Sequence, residues 1–239
     1  MTAREEKAVA FLRQKLAESP YFIEKPEAEQ YRMEHTFRVA SIGREIARAE
    51  GLDEEKIVLG CILHDISYCR QFHGHADWKN HGREAAKIAR PFLTELGLRK
   101  DAVEEICYGI AIHVDNEADF DGERTVVALT IGDADNIDRF DAYRLYETLD
   151  GIDFRKMPLA EKIVHVDATL EKLEQHMTLH FATETATRLW RERVSFYLEF
   201  YRRLQRQFRA SICDGEEANL TNITTHPVGD WLLGVSGRF

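Results

Sequence analysis

Cysteine, proline and excess positive charge are all scarce in this 239-residue chain, and each scarcity excludes a class of protein. The four cysteines, Cys61, Cys69, Cys107 and Cys213, include no CxxC pair, so a disulfide framework is not expected and they read as reduced thiols of a cytoplasmic protein. Five prolines are too few for an extended or low-complexity chain, and no internal repeat breaks the pattern. The net charge of -10, with no basic block, argues against a nucleic-acid polymer or an anionic membrane as partner. No apolar run is long enough to span a bilayer, and the N-terminal residues MTAREEKAVAFLRQKL lack the apolar core of a signal peptide. Without a secretion signal, Asn219-Leu-Thr221 and Asn222-Ile-Thr224 read as chance glycosylation patterns.

What the chain does contain is helical periodicity. Ala8, Val9, Phe11, Leu12 and Leu16 mark a first amphipathic helix over Thr2 to Glu18, stopped by Ser19-Pro20. In Tyr31 to Glu50 the residues His35, Arg38, Val39, Ile42 and Ile46 form one stripe, so His35 points inward, and Gly51 ends the helix. Asp53 then caps a helix whose run IVLGCIL is apolar on nearly every side, as expected for a buried helix, and which ends on His64-Asp65. A carboxylate buried there needs a hydrogen-bonded partner or a cation.

The polar segment Cys69 to Asn80, with His73, His75 and Lys79, reads as a loop. A further helix is expected to open at His81-Gly82 and to kink or break at Pro91. Asp101 is expected to cap the next helix, in which Ile106, Ile110 and His113 share a face. In Arg124 to Phe140 the helical spacing of Ala128, Ile131, Asp135 and Asp138 competes with a strand over Val126 to Ile131, and the helix is preferred, with Asp133 pointing elsewhere. Long helical patterns run from Leu159 to His180 and from Ala182 to Ala210. In the latter, Leu189, Trp190, Val194, Tyr197, Leu198 and Tyr201 form a stripe for a core or a homodimer surface. Periodicity is lost over residues 211–239, expected to be an extended tail. The organisation expected is therefore a core over residues 1–180 and a C-terminal helix and tail over residues 181–239.

Separate helices thus present His35, His64, Asp65, His113 and Asp135 from buried faces, and His81 lies close to a fifth. Imidazole and carboxylate donors without thiolate suit Mn, Fe, Co, Ni or Zn, with Mg as a further candidate. His35-x-x-Arg38, then His64-Asp65 closing an apolar helix, then Asp133, Asp135 and Asp138 in an Asp-x-Asp-x-x-Asp run resemble the HD-domain superfamily of metal-dependent phosphohydrolases. The resemblance spans roughly Glu34 to Phe140. It implies an all-α bundle in which His35, His64, Asp65 and Asp135 ligate one metal. Some members add two histidines that bind a second ion, places that His81 and His113 would fill with Asp65 bridging. The alternative is a single ion, with His81 capping a helix or contacting substrate, or with His73 or His75 completing the site.

The implied function is hydrolysis of a small phosphomonoester or phosphodiester, a nucleotide among the candidates, by metal-bound hydroxide, since a divalent ion brings the pKa of its water from about 15.7 towards 7. Asp65, Arg38 and Asp138 are the catalytic candidates, and Arg38, Lys79, Arg83 and Arg139 the cationic candidates for the phosphoryl oxygens. For Asp138 the plainer role is to hold an arginine. Asn136 stands where the superfamily's nucleotide triphosphohydrolases carry lysine, and the Gly-Tyr-Pro signature of its cyclic-dinucleotide branch is absent. Two other readings stay open, a dinuclear-iron oxygenase and a non-catalytic metal-containing binding module.

Overall fold

The computed structural model describes residues 1–212, and the expected tail, with Cys213 and the two glycosylation patterns, lies almost wholly outside the described residues. Among the described residues all regular structure is helical, as the periodicity requires. The ten α-helices are α1 (Ala3–Ala17), α2 (Pro20–Glu24), α3 (Pro26–Glu50), α4 (Glu54–Leu63), α5 (His75–Glu95), α6 (Lys100–Ile112), α7 (Val126–Asp138), α8 (Ala142–Gly151), α9 (Leu159–His176) and α10 (Glu184–Ala210).

These residues fall into two compact units, one of Met1–Asp138 with Phe181–Ala186 and one of Arg139–His180 continued from Thr187. This division cuts the chain differently from a boundary at residue 180, because the segment after α9 returns to the first unit. There the Ala182 amide donates to Asp133 Oδ2 at 2.9 Å and the Thr185 amide to Glu50 Oε1 at 2.7 Å.

In the first unit α4 is the central rod. Residues Ile57 to Leu63 are all buried, and α1, α3, α6 and α7 pack around them. Asp53 caps α4 through the Lys56 amide, and Gly51 closes α3 in the left-handed conformation that favours glycine. The alternative strand over Val126 to Ile131 is not formed. Those residues open α7, whose face from Ala128 to Asp138 is buried almost throughout.

Three local expectations are corrected. α5 starts at His75, inside the expected loop, so His81 lies within the helix and not at its first residue. Pro91 lies inside α5, which continues to Glu95, so the break is not formed. α6 begins at Lys100 after Arg99, and Asp101 is a first-turn residue that instead pairs with the Arg99 guanidinium. Helix α8, capped by Asp141 through the Ala142 amide, was not expected.

In the second unit the stripe on α10 is core. Trp190, Val194, Tyr197, Leu198 and Tyr201 are buried, and the Phe140 ring meets Trp190 and Tyr197 at centroid distances of 4.6 and 5.2 Å.

Candidate metal centre

Five helices of the first unit deliver six donors to one place. His35 comes from inside α3, and His64 and Asp65 follow the last turn of α4. His81 comes from α5, His113 from the end of α6 and Asp135 from α7. All six are at most 9% exposed.

The donors form two groups that meet at Asp65. His35 Nε2 lies 3.5 Å from Asp65 Oδ2, 3.2 Å from Asp135 Oδ1 and 3.3 Å from His64 Nε2. His64 Nε2 is 3.4 Å from the same Asp65 oxygen and 3.7 Å from Asp135 Oδ1. On the other side, Asp65 Oδ1 lies 3.2 Å from His81 Nε2 and 3.7 Å from His113 Nε2. Asp65 therefore offers one oxygen to each group.

The tautomers follow from the other ring nitrogens. Nδ1 of His64, His81 and His113 each faces the carbonyl three residues earlier, Cys61, Trp78 and Ile110, at 2.8, 2.5 and 2.7 Å. A carbonyl can only accept, so each Nδ1 carries a proton and each Nε2, a lone pair in the neutral ring, is the atom turned into the cluster. Lone pairs and carboxylates this close need a cation between them. Their spacings suit donors sharing ions bound at about 2.0–2.2 Å. The donor set thus fits one divalent cation among His35, His64, Asp65 and Asp135 and a second against Asp65, His81 and His113.

The electrostatics express the same demand. Burial opposes protonation of His35 and His64, but Asp135, Asp138 and Asp65 outweigh it for His35, pushed up to about 10, and Asp65 and Asp135 outweigh it for His64, pushed up to about 9. Burial likewise opposes ionisation of Asp65, yet His64, Arg32, His113 and His35 hold its carboxyl well below the usual range. Asp135 is held down in the same way by His35 and His64, whereas burial lowers His113.

The other candidates divide. Asp138 accepts from His35 Nδ1 at 2.8 Å and from Arg38 Nε and Nη2 at 2.9 and 3.2 Å, so it orients a ring and holds an arginine. Arg83 is engaged with Asp115 at 2.9 and 3.2 Å, and Lys79 is exposed, 3.8 Å from the same carboxylate. Arg139 is the first residue of the second unit. His73 and His75 are exposed and outside the cluster. Asp133 points away, toward the Ala182 amide.

Sequence reasoning passed over Arg32. Its guanidinium donates to Asp65 Oδ2 and lies over the Tyr68 ring, 3.6 Å from the centroid. The signal was present, because Arg32 precedes His35 by three residues and so shares its inward face. Rings of Tyr68, Phe72 and Trp78 lie 5.2, 6.2 and 6.1 Å from that of His81.

Comparison with known proteins fits this arrangement. The HD domain family matches residues 32–139, the stretch that holds all six donors together with Arg32, Arg38 and Asp138. The chain carries an HD domain. Its fold is similar to the crystal structure of a predicted HD superfamily hydrolase from an uncultured Thermotogales bacterium. That likeness has a TM-score of 0.55 and 23% sequence identity, and covers 85% of this chain and 92% of that one. No curated protein matches the chain at a significant level.

Proposed function

We propose that the HD domain is a metal-dependent phosphohydrolase acting on a small phosphomonoester or phosphodiester, with nucleotides as the first candidates. The observation that carries this reading is the convergence of six buried donors with Asp65 facing both groups. A bound divalent ion would supply Lewis acidity toward a phosphoryl oxygen and an acidified water.

The chain's own residues supply the rest. His35, His64, Asp65 and Asp135 would hold one ion and Asp65, His81 and His113 the other. Arg32, a half-buried guanidinium with Asp65 as its hydrogen-bond partner among the described residues, is aimed at the cluster and offers further N–H donors to a phosphoryl group. Packing on Tyr68 fixes its plane, so little side-chain freedom is lost when an anion binds. Phe72 and Trp78 extend an aromatic wall beside His81 against which a planar group would stack.

Elemental analysis of the purified protein, with phosphate release from mononucleotides and dinucleotides under added Mn, Co, Ni or Mg, tests the reading. Release by the parent protein but not by Asp65→Ala is expected. Metal uptake without release from any phosphate ester defeats it. The same six-donor set also suits a dinuclear-iron oxygenase, and two irons per chain with oxygen-dependent turnover would select that reading instead.

A further inference from the structure

The two groups of donors are supported differently, and the difference begins in the backbone. His64 and His113 stand at helix ends, where the carbonyls of the last turn lack intrahelical partners and can receive an Nδ1 proton. His81, inside α5, uses the Trp78 carbonyl in the same way, whereas His35, inside α3, does not turn its Nδ1 to a carbonyl. Its Nδ1 is served by a side chain from α7, Asp138, which Arg38 grips through two nitrogens. A carboxylate behind an imidazole fixes the ring and makes it a stronger donor.

The group of His81 and His113 has a brace of another kind. Arg83, two residues after His81, meets Asp115, two residues after His113, through both terminal nitrogens at 2.9 and 3.2 Å. The same guanidinium donates to the carbonyls of Lys79 and Glu117 and to Asn80 Oδ1. It therefore ties α5 to the segment leaving α6 just beside the two histidines. The first brace joins α3 to α7 and the second joins α5 to the end of α6, and they share no residue.

We propose that each ion position is held by its own arginine–aspartate brace, Arg38–Asp138 behind His35 and Arg83–Asp115 across His81 and His113, so that the two affinities are set separately. All four are positioning residues. The inference rests on the two-ion reading of the centre and is independent of the reaction, because metal binding is measured without substrate.

Mn(II) titration of the full chain, followed by calorimetry and by the electron paramagnetic resonance of free Mn(II), tests it on the parent, Asp138→Asn, Asp115→Asn and the double variant. The parent is expected to bind two ions per chain. Asp138→Asn should weaken one phase by roughly 10–100-fold, Asp115→Asn the other by a similar factor, and the double variant both. Arg38→Lys and Arg83→Lys keep the charge but lose the two-pronged contact, and each should move the same phase as its aspartate partner by a smaller factor. Helical circular dichroism identifies variants that fold, and if an aspartate variant does not fold its lysine counterpart supplies the reading for that brace. One ion per parent chain, a change in both phases from a single brace, or no change from any folded variant overturns the proposal. Two ions bound with the expected shifts but no phosphate release would defeat the hydrolase reading alone.

Discussion

His81 and His113 face each other through Nε2 atoms 3.0 Å apart, while each Nδ1 is held by a carbonyl of its own helix. Neither neutral ring can donate to the other in that arrangement, so the contact is stable only with a cation or a proton beside it. Removing either ring should therefore remove a binding position. His81→Ala and His113→Ala are each expected to lower the bound metal from two ions per chain toward one, read by elemental analysis after dialysis. Unchanged stoichiometry in both would mean that neither ring is needed to hold an ion.

Arg32 separates metal binding from substrate binding. Arg32→Met keeps the stem against Tyr68 and removes the charge, so metal content should stay at the parent level. A lost charge-assisted contact is worth roughly 1.5–3 kcal/mol, so kcat/KM for the best phosphate ester should fall by about 10–150-fold. Steady-state kinetics with elemental analysis on the same preparation checks this, and a parallel loss of metal would make Arg32 a prop for Asp65 instead.

Gly82 is fixed by contact. A Cβ there would lie 2.8 Å from the Ala111 carbonyl oxygen, 2.9 Å from that of Ile110 and 3.0 Å from His113 Nδ1. Gly82→Ala must push α5 away from α6, at a cost of roughly 1–3 kcal/mol. Urea unfolding should show the lower midpoint, and the ion facing His81 and His113 should bind more weakly than the ion at His35.

Much of this was legible in the sequence, for identifiable reasons. His35 falls on an apolar stripe and His64-Asp65 closes an apolar run, so periodicity and burial announce them and the all-α fold together. The start of α5 was not legible, because residues 75–79 are exposed and carry no apolar face to count. Arg83 shows why partners matter more than position. Its place beside His81 suggests a substrate contact, but Asp115, across the helix pair, claims it. Such pairings exist only once the helices have met, and no local pattern encodes them.

A stability test lies far from the metal centre, at Glu5. Its side chain is buried, closes a capping box with Thr2 and pairs with Arg44 at 3.0 Å. Arg44→Ala would leave that buried carboxylate with the Thr2 amide alone, and a loss of roughly 1.5–3 kcal/mol is expected in chemical denaturation. Replacing both partners, Glu5→Leu with Arg44→Leu, should recover much of it, whereas no recovery would show that the cap and not the pair is what matters.

Acid sensitivity is expected in the second unit. His165 packs against Phe154 and Tyr201, with Nε2 unpartnered among the described groups, and burial, with a smaller effect of Lys172, pushes its pKa down. A histidine with a depressed folded pKa leaves stability intact above its unfolded value near 6.5 and takes it away as pH falls below that. At pH 5 the loss is at most about 2 kcal/mol. His165→Phe should flatten the decline in melting temperature between pH 7 and 5, and an unchanged slope would assign it to other groups.

The return of the chain at residues 181–186 has a meaning for how the protein is made. Every metal donor precedes Asp138 in the chain, yet the amides that meet Asp133 and Glu50 come only after α8 and α9, so the donors leave the ribosome first. During translation the nascent HD domain holds its complete donor set before that stitch exists. An ion captured at this stage would bind before the contacts of residues 182 and 185 with Asp133 and Glu50 are made.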